Sequence, residues 1–406
     1  MLKNIFFRFL HHRHYWRKVN FAELSELYIS LMLRSLAFSL VGIFVPIFLF
    51  KNGYDLAAIM GFYAVLFGIK VPFSYVSARV IARIGPKHAI AVAYALQLIP
   101  LAMLVTLQSR AWPLWLIGAS WGIGNSLFFI AFHVDFSKVK HAEHGGKEVG
   151  WLTVLEKVGA LLGPLLGGLI AAIWGAQYTF AAALVVFALA TIPLLLTAEP
   201  VKTKQHLHFS GLSLRSVRRD MLVLAAMNLE NVITMIVWPL FVAIYIFTDN
   251  TYALIGVVTS LSVLFSMFTA RLIGGVIDNK KGRALLHGSA KGAAVVQVLR
   301  LFVNSFGAVV VINIITELFT NGYKLPIIKS YYDRADDFPG ERIVFISYIE
   351  SAANLAKAMA FVMLSLAALH VETRTVFVLA FAMAGLGSLL LLTERFPALN
   401  TRDHRL

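Results

Sequence analysis

Twelve apolar stretches of about twenty residues follow one another along the chain, in two sets of six. A run of eighteen or more apolar residues is long enough to cross the hydrocarbon core of a bilayer as an α-helix. The sequence therefore predicts an all-α membrane protein with twelve transmembrane helices. The predicted spans cover residues 22–50, 55–80, 88–108, 112–137, 149–173, 176–197, 219–247, 252–277, 285–303, 307–330, 343–369 and 373–393.

The composition limits the function classes that the chain can serve. Charged residues make up 14% of its 406 residues and hydrophobic residues 59%, whereas a soluble domain has about a quarter charged residues. No cysteine is present, which excludes disulfides and thiolate metal sites. The sequence has no phosphate-cradling loop, and a hydrolase-like pattern at 118–122 lies inside an apolar span instead of a strand-turn-helix. We therefore expect no enzymatic activity, no cofactor and no bound metal.

The net charge is +15, and the positions of the basic residues follow the predicted topology. Basic residues concentrate at the N-terminus, in the central segment and in alternate short loops, whereas the intervening loops hold only Lys51, Arg110 and Arg374. This positive-inside bias predicts a multi-pass protein of the cytoplasmic (inner) cell membrane with both termini in the cytoplasm. Because topology accounts for the basic surplus, we expect no nucleic-acid partner. The basic and aromatic N-terminal segment instead predicts contact with membrane lipid, and a frayed tail is the alternative.

The two sets of spans resemble each other in sequence. Residues 50–59 are similar to residues 247–255, each joining a first to a second span, and Glu156 corresponds to Glu350 in the fifth span of each set. This repeat predicts two pseudo-symmetric six-helix bundles. The predicted segments are 1–20 (a basic interfacial segment), 21–197 (the N-terminal bundle), 198–218 (a cytoplasmic linker), 219–394 (the C-terminal bundle) and 395–406 (a cytoplasmic tail).

A run of small residues on the fifth span carries a resemblance to a known family. The pattern Gly159-x-x-x-Gly163-Pro164-x-x-Gly167-Gly168 resembles the antiporter motif of the major facilitator superfamily, which is associated with drug and metabolite exporters. Small residues at a spacing of four also let membrane helices approach closely, so plain helix packing is the alternative interpretation.

The loops support the same resemblance in part. Gly274-x-x-x-Asp278 followed by Gly282-Arg283 is similar to the superfamily's cytoplasmic loop motif, with one extra residue before Gly282. The first-half counterpart, residues 78–87, lacks the glycine and the aspartate, and the arginine of the proton-linked motif is missing from the fourth span. The resemblance covers residues 21–394. It implies the major facilitator fold, in which helices 1, 4, 7 and 10 line a central path.

Ionisable residues inside spans are costly and usually face a cavity or a partner. Arg34 and Glu230 lie at nearly the same depth in the first and seventh spans, about 18 Å from the helix start at roughly 1.5 Å per residue. We predict that they meet at the midplane in a substrate and ion-coupling site, and a permanent structural ion pair is the alternative. By depth and by resemblance, the same site includes Asn231, Glu317, Asn125 and Trp121.

A second charged set lies nearer the predicted cytoplasmic surface. Glu156 of the fifth span and Arg271 of the eighth are predicted to pair and to close a gate between the bundles, with Asp278 near the N-terminus of the fifth helix. Glu350 and Arg79 form a looser counterpart of this gate. Neutralisation of Glu156 by the lysine that follows it, or by loop bases, is the alternative.

Five further basic residues lie within spans. Lys291 and Arg300, in the weakly apolar ninth span, are expected to extend to the membrane surface. Lys70, Lys324 and Lys357 lie deeper, and each is a candidate to contact an anionic substrate.

Together, these features predict a secondary active transporter that moves a small molecule across the cytoplasmic membrane by alternating access, as a proton-linked exporter. Its partners would be the substrate, a proton or other coupling ion, and membrane lipid. The alternatives are a flippase for a lipid or cell-envelope precursor on the same fold, an uncoupled or importing facilitator, and a polytopic membrane enzyme or sensor.

Overall fold

The computed structural model describes residues 21–139, 145–195, 206–209, 211–276, 282–338, 340–396 and 399. Within these ranges the chain forms twelve long helices, and the predicted all-α class is confirmed. In chain order they are α1 (Phe21–Val41, continuing after a break as Phe44–Lys51), α2 (Leu56–Ile84), α3 (Pro86–Val105), α4 (Leu114–Val139), α5 (Gly145–Ile173), α6 (Ala176–Leu194), α7 (Leu214–Tyr245), α8 (Thr251–Val276), α9 (Gly282–Leu299), α10 (Phe306–Asp336), α11 (Arg342–Ala368) and α12 (Thr373–Leu390).

Eleven helices are long and apolar enough to cross a membrane. The remaining helix, α9, is more polar, and it packs against α10 and α12. The start of α7 at Leu214 lies inside the segment predicted as the linker, and α10 continues to Asp336 beyond its predicted span. The outer surface of the bundles is apolar, as contact with acyl chains requires. Its exposed side chains include Trp115, Leu195, Phe268, Phe302 and Leu386.

The helix pairings repeat at an interval of six helices. In the first bundle, α1 packs against α5 and α6, α4 packs against α2 and α3, and α3 packs against α6. In the second bundle, α7 packs against α11 and α12, α10 packs against α8 and α9, and α9 packs against α12. The bundles meet where α2 packs against α11 and α8 against α5, which are again equivalent pairs. The chain therefore forms two pseudo-symmetric six-helix bundles.

The connection between α6 and α7 distinguishes the two ends of this assembly. Phe209, in the described part of that connection, packs against Tyr75 of α2 and Tyr348 of α11, with ring centroids 5.7 and 6.4 Å away. The Tyr348 hydroxyl also donates a hydrogen bond to the Phe209 carbonyl oxygen. We call this the linker end. At the opposite end, called the far end, the Lys51 ammonium donates a hydrogen bond of 2.9 Å to Thr251 of α8.

The glycines of α5 face two different helices. A Cβ atom added to Gly159 would lie 2.6 Å from a carbonyl oxygen of α1, and Gly163 and Gly167 face the same helix. Gly168 instead lies against Gly256 of α8. Side chains at these positions would force the helices apart, so the small residues set how closely the backbones approach.

The two contacts between the bundles differ in character. In the far-end half of the α5–α8 contact, the Pro164 carbonyl occupies the position that a side chain of Gly256 would need, and Ser260 donates a hydrogen bond of 2.7 Å to a backbone oxygen of α5. The α2–α11 contact is aromatic. There Tyr63 and Phe67 pack against Phe361, with ring centroids 5.4 and 5.6 Å away.

Candidate functional site

A polar contact joins the two bundles in their linker halves. His133 of α4 is hydrogen bonded through Nδ1 to the hydroxyl of Tyr332 in α10, at 2.8 Å. Its Nε2 atom lies 3.7 Å from Oε1 of Glu350 in α11. Tyr331 packs edge-on against the imidazole, with ring centroids 5.5 Å apart. Imidazole is the side chain whose ordinary titration lies nearest neutral pH, so a titratable group of one bundle contacts a carboxylate of the other.

Two lysines lie beside this contact, one from each bundle. Lys70 of α2 is 3% exposed and Lys357 of α11 is 5% exposed. The Lys70 ammonium lies 4.8 Å from the ring centroid of Phe129, and the Lys357 ammonium lies 4.9 Å from that of Phe67. Cations are attracted to aromatic faces at these distances. Both lysines are within electrostatic range of Glu350, and of each other.

Arg34 lies inside the N-terminal bundle and does not contact Glu230. Its guanidinium carbon is 3.4 Å from the ring centroid of Phe128 in α4. The side chain is within electrostatic range of Glu156 and Lys70. Among the described residues, no hydrogen bond or ion pair joins it to Glu230, whose partners all belong to the other bundle. The predicted midplane pair is not formed, because the Arg34 side chain extends towards α4 of its own bundle.

Glu230 belongs to a hydrogen-bond network inside the C-terminal bundle. It is 1% exposed, and its carboxylate accepts hydrogen bonds from Gln297 of α9 at 2.8 Å and from Thr234 at 3.0 Å. The Tyr323 hydroxyl of α10 donates to the other carboxylate oxygen. The Tyr323 hydroxyl also lies 3.4 Å from Oδ1 of Asn231. Glu230 and Asn231, both predicted for the site, therefore contact the same tyrosine.

Arg300 supplies the positive charge of this network. It is fully buried and donates hydrogen bonds to Thr234 at 2.9 Å, to Gln297 at 2.8 Å and to Thr316 at 3.2 Å. The expectation that Arg300 extends to the membrane surface is wrong. Thr234 and Gln297 connect its guanidinium to Glu230, so the two charges are compensated inside the protein.

Glu317 of α10 lies beside the contact between α5 and α8. Its side chain lies near Ser266 of α8 and is within electrostatic range of Lys157 of α5. The Lys157 ammonium donates a hydrogen bond of 2.7 Å to the same serine hydroxyl, and Asn321 donates to the serine carbonyl at 3.0 Å. Glu317 therefore lies near a cation of the opposite bundle, beside the serine that this cation contacts.

Asn125 and Trp121 are buried within the N-terminal bundle. The Asn125 carbonyl oxygen accepts a hydrogen bond of 3.0 Å from Gln97 of α3. The Trp121 ring packs edge-on against Phe62 of α2, with centroids 6.2 Å apart. Both side chains contact helices of their own bundle, and no described contact joins either of them to Glu317, so their place in the predicted site stays a prediction.

The predicted gate is described only in part. The side chain of Arg271 and the residue Asp278 lie outside what the structure describes, so the Glu156–Arg271 contact stays a prediction. The Glu156 carbonyl oxygen accepts a hydrogen bond of 2.6 Å from Ser35 of α1. This bond fixes the backbone of α5 against α1 at the level of the predicted gate.

The predicted counterpart, Glu350 with Arg79, is not formed. Arg79 is exposed, and its guanidinium carbon lies 5.4 Å from the ring centroid of Phe209. Glu350 instead faces His133 of α4. Arg79 therefore contacts the central connection, while Glu350 contributes to the contact between bundles.

Sequence reasoning does not select His133 or Tyr332, and it considers Lys157 only as a group that could neutralise Glu156. Each lies on the linker half of its helix, where a polar residue is commonly taken to reach the membrane surface. A histidine inside the fourth apolar span was the available signal. Of the three lysines proposed to contact an anion, Lys70 and Lys357 are buried at the boundary between bundles, whereas Lys324 is exposed, as is Lys291.

The boundary between the bundles combines groups that can bind a charged ligand with groups that can carry a proton. Buried cations, a carboxylate and an imidazole from both bundles lie close together in an aromatic surrounding. Among the described residues, no three histidine or carboxylate side chains converge to hold a metal ion.

The chain forms two six-helix bundles with an apolar outer surface and with ionisable side chains at the boundary between them. This is the architecture of a polytopic membrane transport protein. The sequence profile of the Major Facilitator Superfamily matches residues 27–320, and the chain belongs to that superfamily. Members of this superfamily are secondary transporters.

A solved structure of a mutant of the nucleoside transporter NupG is similar to this chain with a TM-score of 0.69 and 11% sequence identity. The match covers 90% of this chain and 98% of that one. At this identity, the likeness concerns the fold. No curated protein matches the chain in sequence.

Proposed function

We propose that the protein is a secondary active transporter that moves a small molecule out across the cytoplasmic membrane by alternating access, in exchange for protons. In such a mechanism two bundles rock about a central site that is reached from one side at a time. The observation that carries the proposal is the contact of His133 with Tyr332 and Glu350, because it ties the bundles together through titratable groups.

The contacts at the two ends fit the two gates that alternating access needs. At the far end, α5 and α8 meet backbone to backbone at Gly168 and Gly256. In the linker halves, α4 meets α10 and α11 through His133. Each contact has to separate when the corresponding side opens. The arrangement with both contacts formed corresponds to an occluded state of the cycle.

Proton coupling is supported by the surroundings of Glu350. The groups that face it are His133 from α4, Tyr331 and Tyr332 from α10, and Lys70 from α2, with Lys357 on its own helix. A proton taken up by the carboxylate removes the negative charge that attracts these cations. The bundles then separate more easily in the linker halves.

The sidedness follows from the positive-inside rule, which assigns the linker end to the cytoplasm. The boundaries 1–20, 21–197, 198–218, 219–394 and 395–406 are proposed for the segments, with the helical start at Leu214 as a refinement. Outward transport is supported by the resemblance of Gly159–Gly168 to the antiporter motif. Arg34 and Glu317 remain proposed coupling residues. Arg34 lies within electrostatic range of Glu156, and Glu317 within electrostatic range of Lys157.

The test is a flux measurement in sealed proteoliposomes that contain a pH-sensitive dye. A panel of metabolites and antibiotics is added under an imposed pH gradient, and substrate-dependent proton movement is recorded. Coupled exchange is expected in the wild-type protein and is expected to be lost in Glu350→Gln, with Glu372→Gln at the exposed far end as the matched control. Equal, gradient-independent flux in the wild type and in Glu350→Gln would overturn proton coupling.

A further inference from the structure

We propose that Lys70, Lys357 and Arg34 form the cargo site, and that the cargo is an organic anion with an apolar body. The inference rests on the proposed transport function, because it names the substrate class of the same boundary. It is carried by the positions of the three cations, by their lack of close anionic partners among the described residues and by the aromatic rings around them.

The two lysines are deeply buried but are not neutralised by direct contact. Within the described part of the chain, neither ammonium makes a hydrogen bond or an ion pair with a carboxylate. Their close neighbours are rings: Phe129 and Phe67 for Lys70, and Phe67 for Lys357. An unpaired buried charge is unfavourable, so a structure that retains two of them side by side is suited to a ligand that supplies the missing negative charge.

The count of charges at the boundary also indicates a negatively charged cargo. With both lysines protonated, Lys70, Lys357 and Arg34 contribute three positive charges, against the carboxylates of Glu350 and Glu156, which leaves one positive charge in excess when His133 is neutral. In the described part of the chain Glu350 makes no ion pair with either lysine, and its nearest basic neighbour is the imidazole. A singly charged anion would balance the boundary.

The surrounding side chains indicate what is attached to the anionic group. Phe67 lies between the two lysines and stacks towards Tyr63 and Phe361, with ring centroids 6.4 and 5.6 Å away. These rings come from α2 and α11, the helices that carry the lysines. An anion held by both ammonium groups would therefore place its remaining atoms against aromatic faces.

The position of the two lysines connects binding to the transport cycle. Lys70 belongs to the N-terminal bundle and Lys357 to the C-terminal bundle. Without a ligand the two ammonium groups repel each other across the boundary. A bound anion reverses this effect, so cargo binding favours the occluded arrangement in which the bundles are in contact.

The first experiment measures binding, independently of transport. Melting curves of the purified protein are recorded with matched pairs of probes, benzoate against benzamide and phenyl phosphate against phenol, because a ligand of the folded state raises the melting temperature. Stabilisation by the anions alone is expected, with an affinity weakened by roughly tenfold or more in Lys70→Met and Lys357→Met. Lys291→Met, an exposed lysine on α9, is the control. Stabilisation by the neutral partners, or by no probe, overturns the proposal.

The second experiment uses stability in the absence of any ligand. If the lysines await an anion, replacing one of them by methionine removes an uncompensated charge and raises the melting temperature. If they are instead structural partners of Glu350, the same replacement lowers it. A lowered melting temperature in both Lys70→Met and Lys357→Met contradicts the proposal, whatever the probes do.

A third arm identifies the source of the anion. Nanodiscs of phosphatidylglycerol are compared with nanodiscs of phosphatidylcholine, with and without benzoate. Lysine-dependent stabilisation by benzoate in both lipids supports a soluble cargo, and lysine-dependent stabilisation by phosphatidylglycerol alone supports an anionic lipid. Anion binding without any proton movement in proteoliposomes would leave the cargo site intact and refute only the coupling.

Discussion

The imidazole of His133 and the carboxylate of Glu350 lie 3.7 Å apart across the boundary between the two bundles. Each group is fixed by its own helix, and neither bundle alone contains the pair. The distance between the two atoms therefore reports whether the linker halves of the bundles are together or apart.

Neutralising Glu350 is expected to open the linker end. Glu350→Gln mimics the protonated carboxylate and leaves the neighbouring cations without their counter-charge, which corresponds to about tenfold in the opening equilibrium. Ser74 on α2 is buried, so a Ser74→Cys reporter measures opening of the linker end as faster thiol labelling. The chain has no native cysteine that would compete for the label. In the wild type, labelling is expected to rise as the pH falls, because protonation of the carboxylate removes the same negative charge. In Glu350→Gln it should be high and independent of pH, and an unchanged pH profile would contradict the assignment.

Adding one methyl group to Gly256 is expected to weaken the far end. The Cβ of Gly256→Ala meets the Pro164 carbonyl, which is backbone and cannot move aside, so overpacking should cost about 1–3 kcal/mol. Thermal unfolding in detergent measures the loss. Gly288→Ala on α9 is the matched control, because nothing lies within 4 Å of its added Cβ, and it should be neutral or slightly stabilising. Equal stability of the two variants would show that the close approach is not needed.

Removing the charge of Glu230 is expected to destabilise the C-terminal bundle. Glu230→Gln leaves Arg300 buried without compensation, at a cost of about 3–5 kcal/mol. Combining it with Arg300→Met should cost less than the sum of the two single changes, which a double-mutant cycle measures. A Glu230→Gln protein with wild-type stability and no transport would instead assign this carboxylate to ion coupling.

Truncating Phe209 is expected to loosen the linker end without disturbing the far end. The ring packs between Tyr75 and Tyr348 from opposite bundles, so Phe209→Ala removes apolar contact on both sides. The lost burial of the ring corresponds to about 1–2 kcal/mol, so labelling of the Ser74→Cys reporter should become several-fold faster. Labelling of a Ser260→Cys reporter at the far end should not change. His208→Ala, an exposed neighbour, is the control. Equal effects at both ends would indicate general unfolding.

The architecture was predictable because each helix is encoded by a continuous stretch of apolar residues. The length and composition of each apolar run fix a helix of membrane-spanning length, and the repeat between the halves fixes their relation. The ninth helix shows the limit of this reasoning. The sequence predicts a weakly apolar ninth span at 285–303, whereas α9 is the long helix that falls outside the eleven that are apolar enough to cross a membrane.

The side-chain pairings were not predictable to the same degree. Arg34 lies deep inside the first helix, as its position in the sequence predicts, yet depth does not determine the direction of a side chain around the helix axis. Successive residues on a helix turn by about 100°, so a small error in phase directs Arg34 to Phe128 instead of Glu230. The partner of Glu230 is reached through Gln297 and Thr234 on two helices, and such an indirect connection leaves no spacing pattern in the sequence.

The buried Arg300 at the end of α9 has a consequence for how the chain enters the membrane during synthesis. A polar helix that carries a fixed charge is a poor substrate for insertion by itself. The compensating groups of Arg300 lie on α7, which is made earlier, and on α10, which follows directly. We expect α9 to leave the translocon together with α10 as a helical hairpin. A nascent chain arrested just after Phe302 should then fail to integrate its ninth helix, which glycosylation mapping of the arrested product measures.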